Sequence, residues 1–296
     1  MINEKRKRAF DKIDNSDFKK LYNSYIIGEI KLSDFAVACG VSVYYLQIYF
    51  KEHNLGNRTK TRRLLTNDNF FDKIDNEITA YLFGFYLADG SIDNCNRICI
   101  SLSEIDYEII ELFRDNICPI AHISRSKCYT NKKTGYTSKP MVSIQITSKH
   151  ICESLNKRNV GQNKTNLEIN DLSFINDDVF IHFLRGYFDG DGTVYSNIVN
   201  KQHKCLNGEI KKYKFRNYNW SIIAHKNNHL KIIQKTLLED YKIYSNIIND
   251  NRGNYLLMIN RKKDFFLMRD LLYKKCNFFL KRKHSKFMNI PLQEEK

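Results

Sequence analysis

Two stretches decide how this chain folds: LFGFYLADG, Leu82–Gly90, and LRGYFDGDG, Leu184–Gly192. Both are largely apolar. Each has Gly in third place, a small residue in seventh, an acid in eighth and Gly in ninth. The chain therefore reads as two copies of one unit, each ending a helix in a carboxylate. Gly84 and Ala88 stand four apart and share a helix face, as do Gly186 and Gly190. Small residues at that spacing let two helix backbones approach closely. Glycine inside a helix costs up to about 1 kcal/mol against alanine, and tight helix–helix packing is the compensating gain. If the two helices pack on each other, Asp89 and Asp191 meet at their ends. Two such carboxylates repel unless a cation stands between them. Carboxylate and carbonyl oxygens suit Mg²⁺. DGDG alone also suggests a calcium loop, but the further spaced ligands are missing.

The surrounding pattern repeats as well. Residues 78–88 predict a helix, 97–103 an alternating strand, 104–116 an amphipathic helix, 122–129 and 141–147 strands, and 150–158 a helix. A linker, VGQNKTNLEIND, follows. The order then restarts: helix over 177–189, strands over 193–199 and 215–224, helix over 227–241, strands over 243–248 and 255–259, helix over 264–274. Each half reads helix, two strands, helix, two strands, helix, an internal duplication.

The first part of the chain is different. Residues 17–29 predict a helix, and LSDFAVACGVSVYYLQIYFKEHNL, residues 32–55, two more. Ser33 and Ser42 stand where N-caps belong. Ala36, Gly40 and Val41 have the spacing of a helix-turn-helix, whose DNA-binding form lays its second helix in the major groove. Tyr44, Tyr45, Gln47 and Lys51 would be the exposed face. Arg58, Lys60, Arg62 and Arg63 then read as a basic linker along phosphates. Three domains are expected: 1–66 the helix-turn-helix module with this linker, 67–170 the first half, 171–296 the second.

Composition agrees. The 296 residues carry a net charge of +15 and are 42% apolar. A basic globular chain of this kind points to nucleic acid. No apolar run approaches a bilayer span, and the N-terminus, MINEKRKRAF, has no hydrophobic signal core. A soluble protein, cytoplasmic or organellar rather than secreted, is expected. KRKR also fits a short nuclear signal. None of the eight cysteines forms a CxxC pair, which argues for reduced thiols rather than zinc.

The two motifs resemble those of the LAGLIDADG homing endonucleases in their double-motif, single-chain form, over about Asp75 to Lys286. The helix-turn-helix lies outside the resemblance, as an appended module. The resemblance implies an α+β fold of two pseudo-twofold αββαββα units, whose sheets form a saddle over double-stranded DNA. It implies Mg²⁺ (or Mn²⁺) held by Asp89 and Asp191 and by the backbone carbonyls of Ala88 and Gly190. It also implies a monomer that is a pseudo-dimer within one chain. A basic residue near the scissile phosphate is expected at the end of a sheet strand. Lys226, in SIIAHKNN, fits as a catalytic residue, while the first half's ISLSEID has no lysine there. Asp189 reads as structural. DNA contacts are expected from Arg97, Arg125, Lys127, Lys132, Lys133, Lys139, Lys211, Lys212, Lys214 and Arg216, with Lys201 and Arg252 nearby. KRKHSK, residues 281–286, reads as a phosphate contact at most. The expected activity is site-specific hydrolysis of DNA phosphodiesters, and an intein is disfavoured because no splicing segments flank the motifs. Two other functions use the same basic fold: a non-cleaving DNA-binding regulator, and an RNA maturase assisting intron splicing.

Overall fold

The structure, a computed structural model, describes residues 2–130, 134–135, 137–204 and 209–292. The N-terminal part is helical, with α1 (Ile2–Asp14), α2 (Phe18–Ile27), α3 (Leu32–Ala38), α4 (Val43–Glu52) and α5 (Arg58–Leu65). The first motif copy follows as α6 (Glu77–Asp89), β1 (Gly90–Ile92), β2 (Arg97–Ser103), α7 (Tyr107–Ile117), β3 (Ile123–Ser126), β4 (Met141–Thr147) and α8 (Lys149–Lys157). The second copy is α9 (Phe180–Asp191), β5 (Gly192–Lys204), β6 (Ile210–Ala224), α10 (Asn228–Glu239), β7 (Asn246–Asn249), β8 (Tyr255–Ile259) and α11 (Lys262–Tyr273), closed by α12 (Lys281–Met288). The class is α+β. The strand orders are β1-β2-β4-β3 and β5-β6-β8-β7, the same permutation twice.

Three differences from the sequence reading have local causes. The basic linker is helical as α5, because its arginines, lysine and leucines are good helix formers and it holds no Gly or Pro. The N-terminal KRKR lies within α1, whose Ala9 and Ile13 are buried. The β5–β6 hairpin runs well past its apolar core, in register from Gly192↔Ile222 to Lys204↔Ile210. Ladder bonds are main-chain bonds, so the outer ribbon needs no apolar alternation.

The chain divides into two compact units. One comprises Met1–Asp68 with Ser101–Ser148, the other Asn69–Ile100 with Lys149–Lys296. In the first, Phe35, Leu46, Phe50 and Ile26 form the core among helices α1 to α4. Gly40, at φ +65°, makes its turn in the left-handed region that favours glycine. The second unit holds both motif helices. The α6 helix starts at Asn76, whose side chain accepts the Thr79 N–H. Every residue from Thr79 to Leu87 is buried, as its all-round apolar sequence requires. Beside α9, Phe188 stacks on Trp220 with ring centroids 5.2 Å apart.

Candidate active site

The α6 and α9 helices pack backbone to backbone. A Cβ added at Gly84 would lie 2.0 Å from the Phe183 carbonyl oxygen, and one at Gly186 would lie 1.9 Å from that of Tyr81. Nearer the C-terminal ends, a Cβ at Gly190 would fall 2.2 Å from the Ala88 Cβ and 3.1 Å from the Asp89 Oδ2. The ninth-place glycines serve another packing need. A Cβ at Gly90 or Gly192 would sit 2.1 Å from the ring of Tyr86 or Phe188.

This crossing brings the eighth-place acids together. Burial, and then the negative charge of Asp89, push the Asp191 carboxyl up to about 6, while Lys164 and Lys283 hold it back. Asp89 is the more exposed of the two acids.

Two lysines finish the helices. The Lys164 Nζ donates to the carbonyls of Tyr86 (2.6 Å), Leu87 (2.6 Å) and Ala88 (3.0 Å). The Lys283 Nζ donates to those of Phe188 and Gly190, each at 2.8 Å. An ammonium at a helix C-terminus satisfies orphan carbonyls and complements the dipole. Burial pushes both lysines down to about 8, against the pull of the nearby aspartates. Sequence reading missed both. Lys164 lies in the VGQNKTNLEIND linker. Lys283 belongs to KRKHSK, read as a phosphate contact, yet its side chain is buried and turned onto α9. The available signal was the duplication itself, since Lys164 follows α8 and Lys283 follows α11, the corresponding helices of the two copies.

The donor set suits a hard cation. Asp191, whose proton affinity the Asp89 charge raises, and Asp89 follow directly on the carbonyls of Gly190 and Ala88, and a carbonyl with one lysine bond keeps a second lone pair. Among the described residues no group of three or more His, Cys, Asp or Glu side chains could hold a metal ion.

Asp189 faces away from this centre. It accepts from the Tyr81 hydroxyl (2.9 Å), the Tyr273 hydroxyl (2.8 Å) and the Leu280 N–H (2.7 Å). Burial raises it to about 6 despite those donors. Arg185, fully buried, donates to the carbonyls of Phe278 (2.7 Å) and Leu272 (3.0 Å) and to Glu77 (2.8 Å). Asp189 and Arg185 together tie down the segment that delivers Lys283. A cavity of about 100 Å³ opens beside Asp191, and Ala88, Lys164, Tyr187, Lys226 and His229 share its wall. Lys226 thus lines the same space as Asp191. Behind it, the Tyr187 hydroxyl meets His229 Nε2 at 2.9 Å, and burial pushes His229 down to about 4. The first copy has Phe85 where the second has Tyr187.

The residues expected to meet DNA are dispersed. Tyr44 is 65% exposed, Gln47 and Lys51 are exposed and Tyr45 is half-buried. The Arg58 guanidinium is spent inside the protein, on the carbonyls of Tyr25 (2.8 Å) and Ile30 (2.7 Å). Arg97 pairs with Asp93 at 2.6 Å, and Arg125 lies over the Tyr107 ring, 4.6 Å from its centre. Arg63, Lys127, Lys139, Lys212 and Lys214 are exposed, while Arg216 is half-buried. Lys132 and Lys133, and the side chains of Lys60, Arg62 and Lys211, lie outside the described residues. Among the described residues no helix is long and apolar enough to cross a membrane.

No protein-family profile matches this chain, and no curated protein matches it in sequence. Several solved structures are similar to it. The homing endonuclease I-WcaI bound to its DNA recognition sequence is 15% identical, over 73% of this chain and 90% of that one, with a TM-score of 0.49. The I-LtrWI LAGLIDADG homing endonuclease bound to target DNA is 12% identical, over 72% and 89%, with a TM-score of 0.44. The N-terminal LAGLIDADG domain of DUF199/WhiA is 18% identical, over 67% and 82%, with a TM-score of 0.39.

Proposed function

We propose that this chain is a LAGLIDADG-type, site-specific endonuclease that hydrolyses phosphodiester bonds of double-stranded DNA. The observation that carries this reading is the convergence of Asp89 and Asp191 at one helix crossing, with a lysine on the end of each helix. Asp89, Asp191 and the carbonyls of Ala88 and Gly190 would hold Mg²⁺ or Mn²⁺. Such an ion, when bound, neutralises phosphate charge and lowers the pKa of water. Lys164 and Lys283 place positive charge where the phosphate gains negative charge. Lys226 stands on the Asp191 side, where it can hold a phosphate oxygen or orient the attacking water. The β5–β6 ribbon, with exposed Lys212 and Lys214, has the two-stranded form that fits a major groove.

The test is cleavage of DNA spanning the joined flanks of the protein's own gene, with Mg²⁺ and with EDTA, for the wild type, Asp89→Asn and Asp191→Asn. Divalent-ion-dependent breaks lost in both variants are expected. Breaks that persist in both variants, or in EDTA, refute the site.

One observation favours a second reading, a non-cleaving DNA-binding protein. The lysine ammoniums already occupy the Ala88 and Gly190 carbonyls. Tight, salt-sensitive DNA binding with no cleavage under any divalent ion would select that reading.

A further inference from the structure

The helix-turn-helix unit carries a basic face that its turn motif does not explain. On α1, Lys5, Arg8 and Lys12 stand at i, i+3 and i+7, on one side of the helix. All three are exposed, while Ala9 and Ile13 bury the adjoining side. They form one wall of an open groove whose other wall is the Gly40–Ser42 turn and Tyr45 of α4. Among the described residues, no carboxylate lines it. The other side of α1 is unlike this. There Glu4, Asp11 and Glu52 share a groove with Arg6 and Lys7, and Arg6 pairs with Glu52.

Glu4 and Asp11 stand one turn from Arg8 on the adjoining side of α1, but Lys5 and Lys12 have no acid three or four residues away that faces the groove. Like charges three or four residues apart on a helix cost a few tenths of a kcal/mol. Among the described residues, Lys12 gains a long bond to the Gly40 carbonyl, at 3.4 Å. A row of cations with no acid among them is complementary to a row of anions.

We infer that this groove seats the sugar–phosphate backbone of duplex DNA, beside the α4 face that presents Tyr44 and Gln47. The inference rests on the DNA-endonuclease reading above and gives the appended unit its own foothold on the substrate. Lys5 to Lys12 covers about 10 Å at the rise of an α-helix. Its three cations can each take one phosphate, so the row reaches at most three phosphates of one strand. Contacts of this kind set register and orientation, leaving base edges to α4.

The test is duplex binding by the full-length protein in EDTA, across a salt series, for the wild type, Lys5→Gln/Arg8→Gln and, as a single-charge control outside the groove, Lys7→Gln. The double variant should bind about tenfold or more weakly, with its salt slope lowered by about 0.9 for each phosphate lost, and Lys7→Gln should keep the wild-type slope. Phosphate-ethylation interference on the unaltered protein should mark two or three phosphates of one strand outside the cleavage region, which settles the matter even if the double variant misfolds. An unchanged slope and no such marks, with cleavage intact, overturn this inference and leave the nuclease reading standing. Failure of the wild type to bind duplex DNA overturns both. A wild-type preference for double-stranded RNA or for an acidic peptide, lost in the double variant, assigns the groove to another partner and overturns the inference.

Discussion

Gly186→Ala tests the helix crossing on which the site depends. The added methyl carbon would lie 1.9 Å from the Tyr81 carbonyl oxygen, 2.8 Å from its carbon and 2.9 Å from the Phe85 nitrogen. All three are backbone atoms, so no rotamer change relieves the clash. Restoring ordinary contact at 3.4 Å requires the helices to part by about 1.5 Å. Overpacking a tight core costs about 1–3 kcal/mol, and a rigid partner puts this case at the upper end. Alanine's better helix propensity returns up to about 1 kcal/mol, leaving a net loss of about 2 kcal/mol. For a domain of this size that corresponds to a Tm drop of roughly 4–8 °C. The same parting draws Asp89 away from Asp191, so cleavage should fall further than stability does at a temperature where the variant is folded. Calorimetry and a cleavage assay on one preparation read both effects. A variant as stable as the wild type and equally active would falsify the claim that close backbone contact at Gly186 builds the site.

Other outcomes follow from the same geometry. Arg185→Ala should destabilise by about 3–5 kcal/mol in urea unfolding, because Glu77 loses its buried partner and two carbonyls lose their donor; an effect below about 1 kcal/mol contradicts the role given to Arg185. Lys283→Met should lose cleavage and about 1–3 kcal/mol of stability, by stranding the Phe188 and Gly190 carbonyls, and cleavage near the wild-type rate would remove it from the mechanism. Burial lowers His229 from 6.5 to about 4, so its neutral form contributes stability that is full above pH 6.5 and drains away as pH falls toward 4, about 3 kcal/mol in all. His229→Gln should flatten the wild-type loss over that window, and parallel stability–pH curves would count against a buried neutral histidine.

Much of this architecture was legible because its cause is local. The motif glycines recur at a spacing that close helix packing explains, the strands at 97–103 and 141–147 alternate cleanly enough to be bounded to the residue, and the continuous apolar run at 255–259 is bounded equally well. The three-residue β1 escaped because a strand that short has no pattern of its own. Helix α5 was read as a linker because its charge suggested a partner more strongly than its composition suggested a helix.

By itself, then, the sequence determined the duplication, the order of elements in each copy and an acid at the end of each motif helix, all carried by short-range patterns. Only the tertiary structure decided what stands around those acids. Lys164 reaches the end of α6 across 76 positions and Lys283 the end of α9 across 93. Asp189 is buried under donors drawn from α6 and the C-terminal segment, and Arg58 is turned inward onto α2. A charged side chain looks the same in sequence whether it faces water, a phosphate or a helix end. Its role is set by which backbone carbonyls and carboxylates the completed fold brings within reach, and long-range packing alone supplies that.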